Sequence, residues 1–334
     1  MSIVEPILIV LAAAALSAGL IVVMLPWLRR NALAHPNARS SHRKSTPQGG
    51  GVAVIASTLV VTIVATTLGP FELHTLWPII TALLVIAVVG AVDDLHTLEV
   101  APRLALQAFA VLIVVAAVPD EIRVLPMLPW LIERMLLLIA CLWFVNLTNF
   151  MDGIDWMTVA EFVPVAAGLA LVGYLGALPP HGITVALAAG GAVAGFAPFN
   201  RPVARIFLGD VGSLPIGLLF GWLLVMLAGN GHLVAALLLP LYYLADATLT
   251  LSRRIKNREQ FWQAHRTHFY QCATDRGWSV MQIVGHVFVV NIVLVTLAAA
   301  TVLLPGIVTG LVALAAGCAL VGWLLRILSH GSPS

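Results

Sequence analysis

The chain alternates long apolar runs with short polar segments, and the runs have the length of membrane-crossing helices. A helix needs about 20 mostly apolar residues to cross the hydrocarbon core of a bilayer. Runs of this kind occupy residues 7–27, 52–68, 76–92, 104–118, 128–145, 159–175, 183–199, 213–227, 233–251, 280–303 and 307–328, which predicts eleven spans. No basic residue precedes the first run, and Arg29 and Arg30 follow it directly. A cleavable signal peptide has the opposite charge order, so a retained helix is expected.

Composition narrows the class. The 334 residues are 60% hydrophobic and 10% charged, against about 45–50% and about 25% in an ordinary globular domain. Seventeen cations and fifteen acids cannot clothe a soluble protein of this size. A soluble enzyme, a nucleic-acid-binding module and a disordered chain are therefore excluded. A membrane β-barrel is disfavoured, because its strands alternate in segments of about ten residues. The predicted fold class is all-α: a polytopic transmembrane bundle of about 11 spans, one domain over residues 1–334. Cys141 and Cys318 fall in apolar runs and Cys272 in a polar loop, with no C-x-x-C pair, so no disulfide framework is expected.

Charge then gives the bundle a direction. Residues 28–51, 93–103, 146–158, 200–212, 252–279 and the C-terminal tail carry fifteen of the 17 cations. The alternate loops, around 69–75, 119–127, 176–182 and 228–232, are left with Arg123 and Arg134. The positive-inside bias assigns the first set to the cytoplasm and the N-terminus to the outside. The basic run from Arg253 to Arg258 marks topology and suits anionic lipid headgroups.

Asp93, Asp94, Asp152, Asp155 and Asp210 fall in that same set, at or just beyond span ends. Solubilising charge at loop ends would explain one or two such acids. Five from three loops on one face predict a shared site, with ligands suited to a hard cation such as Mg²⁺. Three local patterns sharpen this. Thr46-Pro-Gln-Gly49-Gly50-Gly51 opens the second span after Arg43 and Lys44, and glycines before a helix let backbone N–H groups approach an anion. Asn149, Asp152 and Asp155 recur at every third residue, so one helical turn would stack them on one face. In Asn200-Arg-Pro-Val-Ala-Arg-Ile-Phe207-Leu-Gly209-Asp210-Val-Gly212-Ser213, an aromatic ring precedes a glycine-flanked carboxylate by three residues.

These patterns, in this order and together with His265-Arg266-Thr267-His268, resemble the polyprenyl-phosphate N-acetylhexosamine-1-phosphate transferases, or glycosyltransferase family 4. The likeness is to O-antigen-initiating members rather than to the phospho-N-acetylmuramoyl-pentapeptide transferases. It implies transfer of an N-acetyl-sugar 1-phosphate from a UDP-sugar to undecaprenyl phosphate, with release of UMP, in a bacterial inner membrane. It also implies Mg²⁺ as cofactor, with Mn²⁺ as a substitute, and membrane lipids and a second copy of the chain as further partners. By the same resemblance Asp210 binds the metal with Asn149 and Asp152, and Asp93 and Asp94 are the aspartate pair near the phosphates. Asp155, Asn200 and Phe207 match the uridine pocket, with Phe207 stacking on the base and Arg43 nearby. Arg103 matches a phosphate-side position, and His265, Arg266 and His268 match the cytoplasmic histidine motif.

Two departures stand out. Trp156 follows Asp155 where the family pattern has glycine, and an interfacial anchor is the favoured role for it. Three consecutive histidines are absent, which argues against a muramoyl-pentapeptide substrate. Asp246 is an acid inside a run, a functional candidate by default, although a structural role is at least as good a reading. The alternative function is a secondary transporter, which would place ionisable groups near the bilayer midplane and show paired interrupted helices.

Overall fold

A computed structural model describes residues 4–34, 46–69, 73–260 and 265–331. Arg43, Lys44 and Glu72 lie outside the described residues. The chain begins with α1 (Val4–Asn31), then pairs two short antiparallel segments, β1 (Leu33–Ala34) and β2 (Thr46–Pro47). The helices α2 (Gly50–Leu68), α3 (Trp77–Leu95), α4 (Val100–Ala116), α5 (Trp130–Met151), α6 (Met157–Val172), α7 (Pro180–Asn200) and α8 (Asp210–Leu227) follow. After these come α9 (Leu233–Leu238), α10 (Leu241–Lys256), α11 (Phe269–Asp275), α12 (Val280–Leu303) and α13 (Ile307–Leu328). The β1–β2 pair and the short α11 are elements that the hydrophobic pattern does not predict.

Among the described residues, nine helical segments are long and apolar enough to cross a membrane. One of them, Asp210–Leu238, joins α8 to α9 across a turn at Asn230 and Gly231. The shorter α4, and the α9–α10 segment broken at Pro240, complete the eleven predicted runs in order. The break follows from proline's missing N–H. The chain reverses between α8 and α10, because both lie beside the last turns of α5. Asn149 of α5 bonds Asp210 and Ser213 at the start of α8, and Trp143 of α5 bonds Thr248 of α10.

α8 is the axis of the bundle. Every residue from Val211 to Leu224 is buried, as expected of a helix that is apolar all round. α3 and α5 pack on it, while α7 packs on α1, α2 and α6. Lipid offers little hydrophobic drive for helix association, so close packing relies on small residues. Gly191 and Gly195 of α7 sit directly against the backbone of α1 at Val10 and Ala14. α1 and α13 turn Leu11, Val23, Ile307 and Leu311 outward, where lipid is their solvent. Inside the bundle Glu161 of α6 accepts from Asn291 of α12 at 2.7 Å, a buried pair that the run-by-run reading passes over.

Candidate functional site

The predicted acids gather at one end of the bundle, around the first turn of α8. A helix start exposes backbone N–H groups that lack intrahelical partners. Asp94, at the end of α3, meets two of them: its Oδ1 accepts from the Asp210 N–H at 2.9 Å and its Oδ2 from the Val211 N–H at 3.1 Å. A carboxylate there is favoured by the helix dipole as well. Asp94 is therefore the cap of α8. Asp93 faces differently. It accepts from the Leu98 N–H at 2.7 Å, pairs with Arg103 at 3.0 Å, and lies beside the Asp210 carboxyl. On the far side, Asn149 donates to Asp210 Oδ1 at 2.7 Å and to Ser213 Oγ at 2.9 Å. Behind it Asn146 donates to Gln107 of α4 at 2.9 Å.

The predicted stack of Asn149, Asp152 and Asp155 does not form, because α5 ends at Met151. The three side chains go to three partners. Asn149 meets Asp210, Asp152 accepts from the Thr158 hydroxyl, and Asp155 accepts from the Ala204 N–H at 2.9 Å. Burial, with Asp155 and Asp94 nearby, pushes the Asp152 carboxyl up to about 7, and the Thr158 bond works against that shift.

The segment bearing Phe207 is clamped from both sides. Asn200 accepts from the Trp156 N–H at 2.7 Å and donates to the Ile206 carbonyl at 3.0 Å. The Phe207 N–H donates to the Pro47 carbonyl at 2.8 Å. The Gly50 and Gly51 N–H groups donate to the Phe207 and Leu208 carbonyls at 2.9 and 2.8 Å. The glycine-rich turn thus spends its N–H groups on the chain itself rather than on an anion. Its glycines serve packing, since a Cβ on Gly51 would run into the Gly212 backbone of α8.

Trp156 also differs from the anchor expected of it. Its indole N–H donates to the Ala197 carbonyl at 2.6 Å, which ties it to α7. Its φ of 64° lies in the left-handed region, where a non-glycine residue costs about 1–2 kcal/mol. A glycine would adopt that backbone shape without the strain.

The histidine loop joins the site from α10 and α11. His268 is buried, with Nδ1 3.2 Å from Asp246, and the His265 ring stacks on it at 4.9 Å. Burial, with Arg254 and His268 beside it, holds His265 down to about 4, so it is neutral at neutral pH. Arg266 pairs with Asp275 at 3.4 Å. The loop touches the acids' strand of chain through Tyr270, whose hydroxyl donates to the Phe150 carbonyl at 2.9 Å, and Gly153 leaves room for that ring.

The donor set suits a hard divalent cation. Two carboxyls set side by side, as Asp93 and Asp210 are, are stabilised by a shared proton or by a cation. Mg²⁺ takes one or two carboxylates and completes its shell with water and phosphate oxygens. Among the described residues no group of three His, Cys, Asp or Glu side chains is placed to hold a metal ion. Asn149 meets Asp210 through its amide nitrogen, an orienting contact, and Asp152 is turned to Thr158.

Fold and site together define a multi-pass membrane protein with a carboxylate-lined polar site at one end of its bundle. Residues 76–228 match the model of glycosyl transferase family 4. The match includes Asp93, Asp94, Asn149, Asp152, Asp155 and Asp210; the glycine-rich turn and the histidine loop lie outside it. The chain is similar to the phospho-N-acetylmuramoyl-pentapeptide-transferase of Acinetobacter baylyi, 29% identical over 169 residues, covering 46% of this chain and 44% of the relative. A protein of the same description from Bartonella quintana is 30% identical over 166 residues, covering 45% of each. The chain thus spans about half the length of the curated relatives it matches.

Proposed function

We propose that the protein transfers an N-acetylhexosamine 1-phosphate from a UDP-sugar to undecaprenyl phosphate at the cytoplasmic face of a bacterial inner membrane. An oxygen of the lipid phosphate bonds to the sugar-bearing phosphorus, the bond from that phosphorus to the bridging oxygen breaks, and UMP leaves with the electron pair. The observation that carries this reading is the gathering of Asp94, Asn149 and Asp210 at the start of α8, with Asp93 beside them, inside the matched stretch. Phosphoryl transfer asks mainly for positioning and charge neutralisation. Asp210 and Asp93 would hold Mg²⁺, which when bound neutralises pyrophosphate charge. Arg103 and Arg266 would add positive charge, and Asp155 and Asn200 would hold the Phe207 segment for base stacking. Fifteen of 17 cations in the loops of this end support its cytoplasmic assignment.

The relatives' description makes a muramoyl-pentapeptide donor the competing substrate. The sequence His265-Arg266-Thr267-His268, in place of three histidines, favours a simple N-acetylhexosamine and hence the first step of an O-antigen-like glycan. The test is UMP release by purified protein given undecaprenyl phosphate and Mg²⁺ with each of several UDP-N-acetylhexosamines or UDP-N-acetylmuramoyl-pentapeptide. Release with a hexosamine donor, lost on chelation, is expected. Release with the pentapeptide donor alone would overturn the substrate assignment, and release with none would overturn the reaction. Phe207→Ala should raise the KM for the nucleotide sugar about tenfold, in line with stacking worth about 1–3 kcal/mol per base, and leave the KM for the lipid unchanged.

A further inference from the structure

Asp246 of α10 has no part in the chemistry above, yet it is fully buried and its two oxygens meet four N–H and O–H donors and one ring nitrogen. Oδ1 lies 3.2 Å from His268 Nδ1, 3.1 Å from the Phe269 N–H and 3.3 Å from the Thr250 hydroxyl. Oδ2 lies 3.3 Å from the Tyr270 N–H and 3.3 Å from the Tyr242 hydroxyl. Two of these donors are the first N–H groups of α11, so Asp246 holds the start of that helix from a neighbouring one. With N–H and O–H donors aimed at both of its oxygens, Asp246 is the acceptor of this cluster, and the His268 nitrogen facing it is placed to donate.

We propose that Asp246 is the positioning residue for His268: accepting from Nδ1–H, it fixes the ring's orientation and leaves Nε2 as the nitrogen offered to the substrate. The offer to substrate rests on the transferase reading; the orientation does not. The ring is held in a defined place between its neighbours. His265 stacks on it at 4.9 Å, Phe150 lies 6.3 Å away, and Tyr270 at 5.9 Å. Phe150 is two residues from Asp152, and its carbonyl accepts from Tyr270, so α11 is pinned to the carboxylate end of α5. A carboxylate–imidazole pair of this kind sets which ring nitrogen is available, as such partners do for histidines that bind metals.

Two measurements decide it. The first is ¹⁵N-histidine NMR of the full-length protein in micelles, with the His268 signals assigned by their loss in His268→Gln. A protonated Nδ1 is expected in the wild type; a bare Nδ1 beside a protonated Nε2 would overturn the proposal, whatever the enzyme's activity. The second is a double-mutant cycle on UMP release with Asp246→Asn and His268→Gln. Losing an outer partner of this kind costs about 10–100-fold in activity. Asp246→Asn should lower kcat by that factor with little change in KM, and cost nothing further in the His268→Gln background. Losses that multiply would show that Asp246 acts only by holding the fold. Asp246→Glu should restore part of the loss. Failure of the wild type to release UMP would overturn the transferase reading and leave the NMR result to judge the positioning.

Discussion

At the end of the bundle away from the site, the hairpin between α4 and α5 holds Arg123, Arg134, Asp120, Glu121 and Glu133, and both of its arginines are answered within the hairpin. Arg123 is paired with Glu133, which also accepts from the Val124 and Leu125 N–H groups at 2.6 and 3.0 Å. Arg134 lies 3.6 Å from Asp120 and 5.5 Å from the Trp130 ring centre. At the site end, among the described residues, Asp93 is paired with Arg103, but Asp94, Asp152 and Asp210 are met by N–H and O–H groups. In the hairpin each of the two arginines has a carboxylate within reach. At the site one arginine serves a group of buried acids, so their charge is left to protons or to a bound cation. The imbalance is the functional signal.

Substitution can break that contrast. Asp210→Asn should have the largest effect, a loss of turnover of about 10³-fold or more, of the size seen when a key electrostatic group is removed. Melting should stay near wild type, and a variant keeping most of its UMP release would overturn the metal assignment. Glu133→Ala at the other end should do the reverse. Breaking a buried ion pair costs about 3–5 kcal/mol, so its melting temperature should fall while activity per folded molecule holds. Asp94→Ala should lower both, since losing a helix cap costs about 1–2 kcal/mol and the cap sits on the helix that carries Asp210. Comparison with Asp93→Ala, which should lower turnover with less change in melting, separates the two adjacent acids. The smallest effect is expected from His265→Gln. A histidine held down to about 4 takes up its proton later than in the unfolded chain. Its contribution is present above the usual value near 6.5 and is lost as the pH falls toward 4. The variant should therefore show a shallower loss of melting temperature between pH 6.5 and 4 than the wild type, and an unchanged slope would count against the burial of this ring.

The spans were legible because lipid imposes one simple requirement, about 20 apolar residues, and α8 and α12 meet it plainly. The site residues were legible as a set, because Asp93, Asp152 and Asp210 stand out against apolar surroundings. Their individual partners were not. Nothing in the spacing of Asn149, Asp152 and Asp155 reveals that α5 stops at Met151, and a three-residue repeat looks helical whether or not the helix continues. Adjacent residues such as Asp93 and Asp94 look equivalent in a sequence; a helix start elsewhere in the chain gives them different tasks. The glycine-rich turn misled for a related reason. Gly51 is there for a helix crossing at Gly212, 161 positions further on, and such contacts leave no local trace. Asp246 was visible as an acid in an apolar run, but its five partners come largely from a loop that follows it in the chain.

The cap that Asp94 places on α8 has a consequence for biosynthesis. Its acceptor oxygens wait for N–H groups 116 and 117 residues later in the chain. A growing polypeptide carries Asp93 and Asp94 into the membrane long before the partners that organise them exist. Only after the eighth apolar run has followed does the pair find its place, and His268 arrives later still. The carboxylate end is thus assembled from an early and a late instalment of the chain. A nascent protein arrested before Gly209 would hold the acids and the membrane anchor, yet no site.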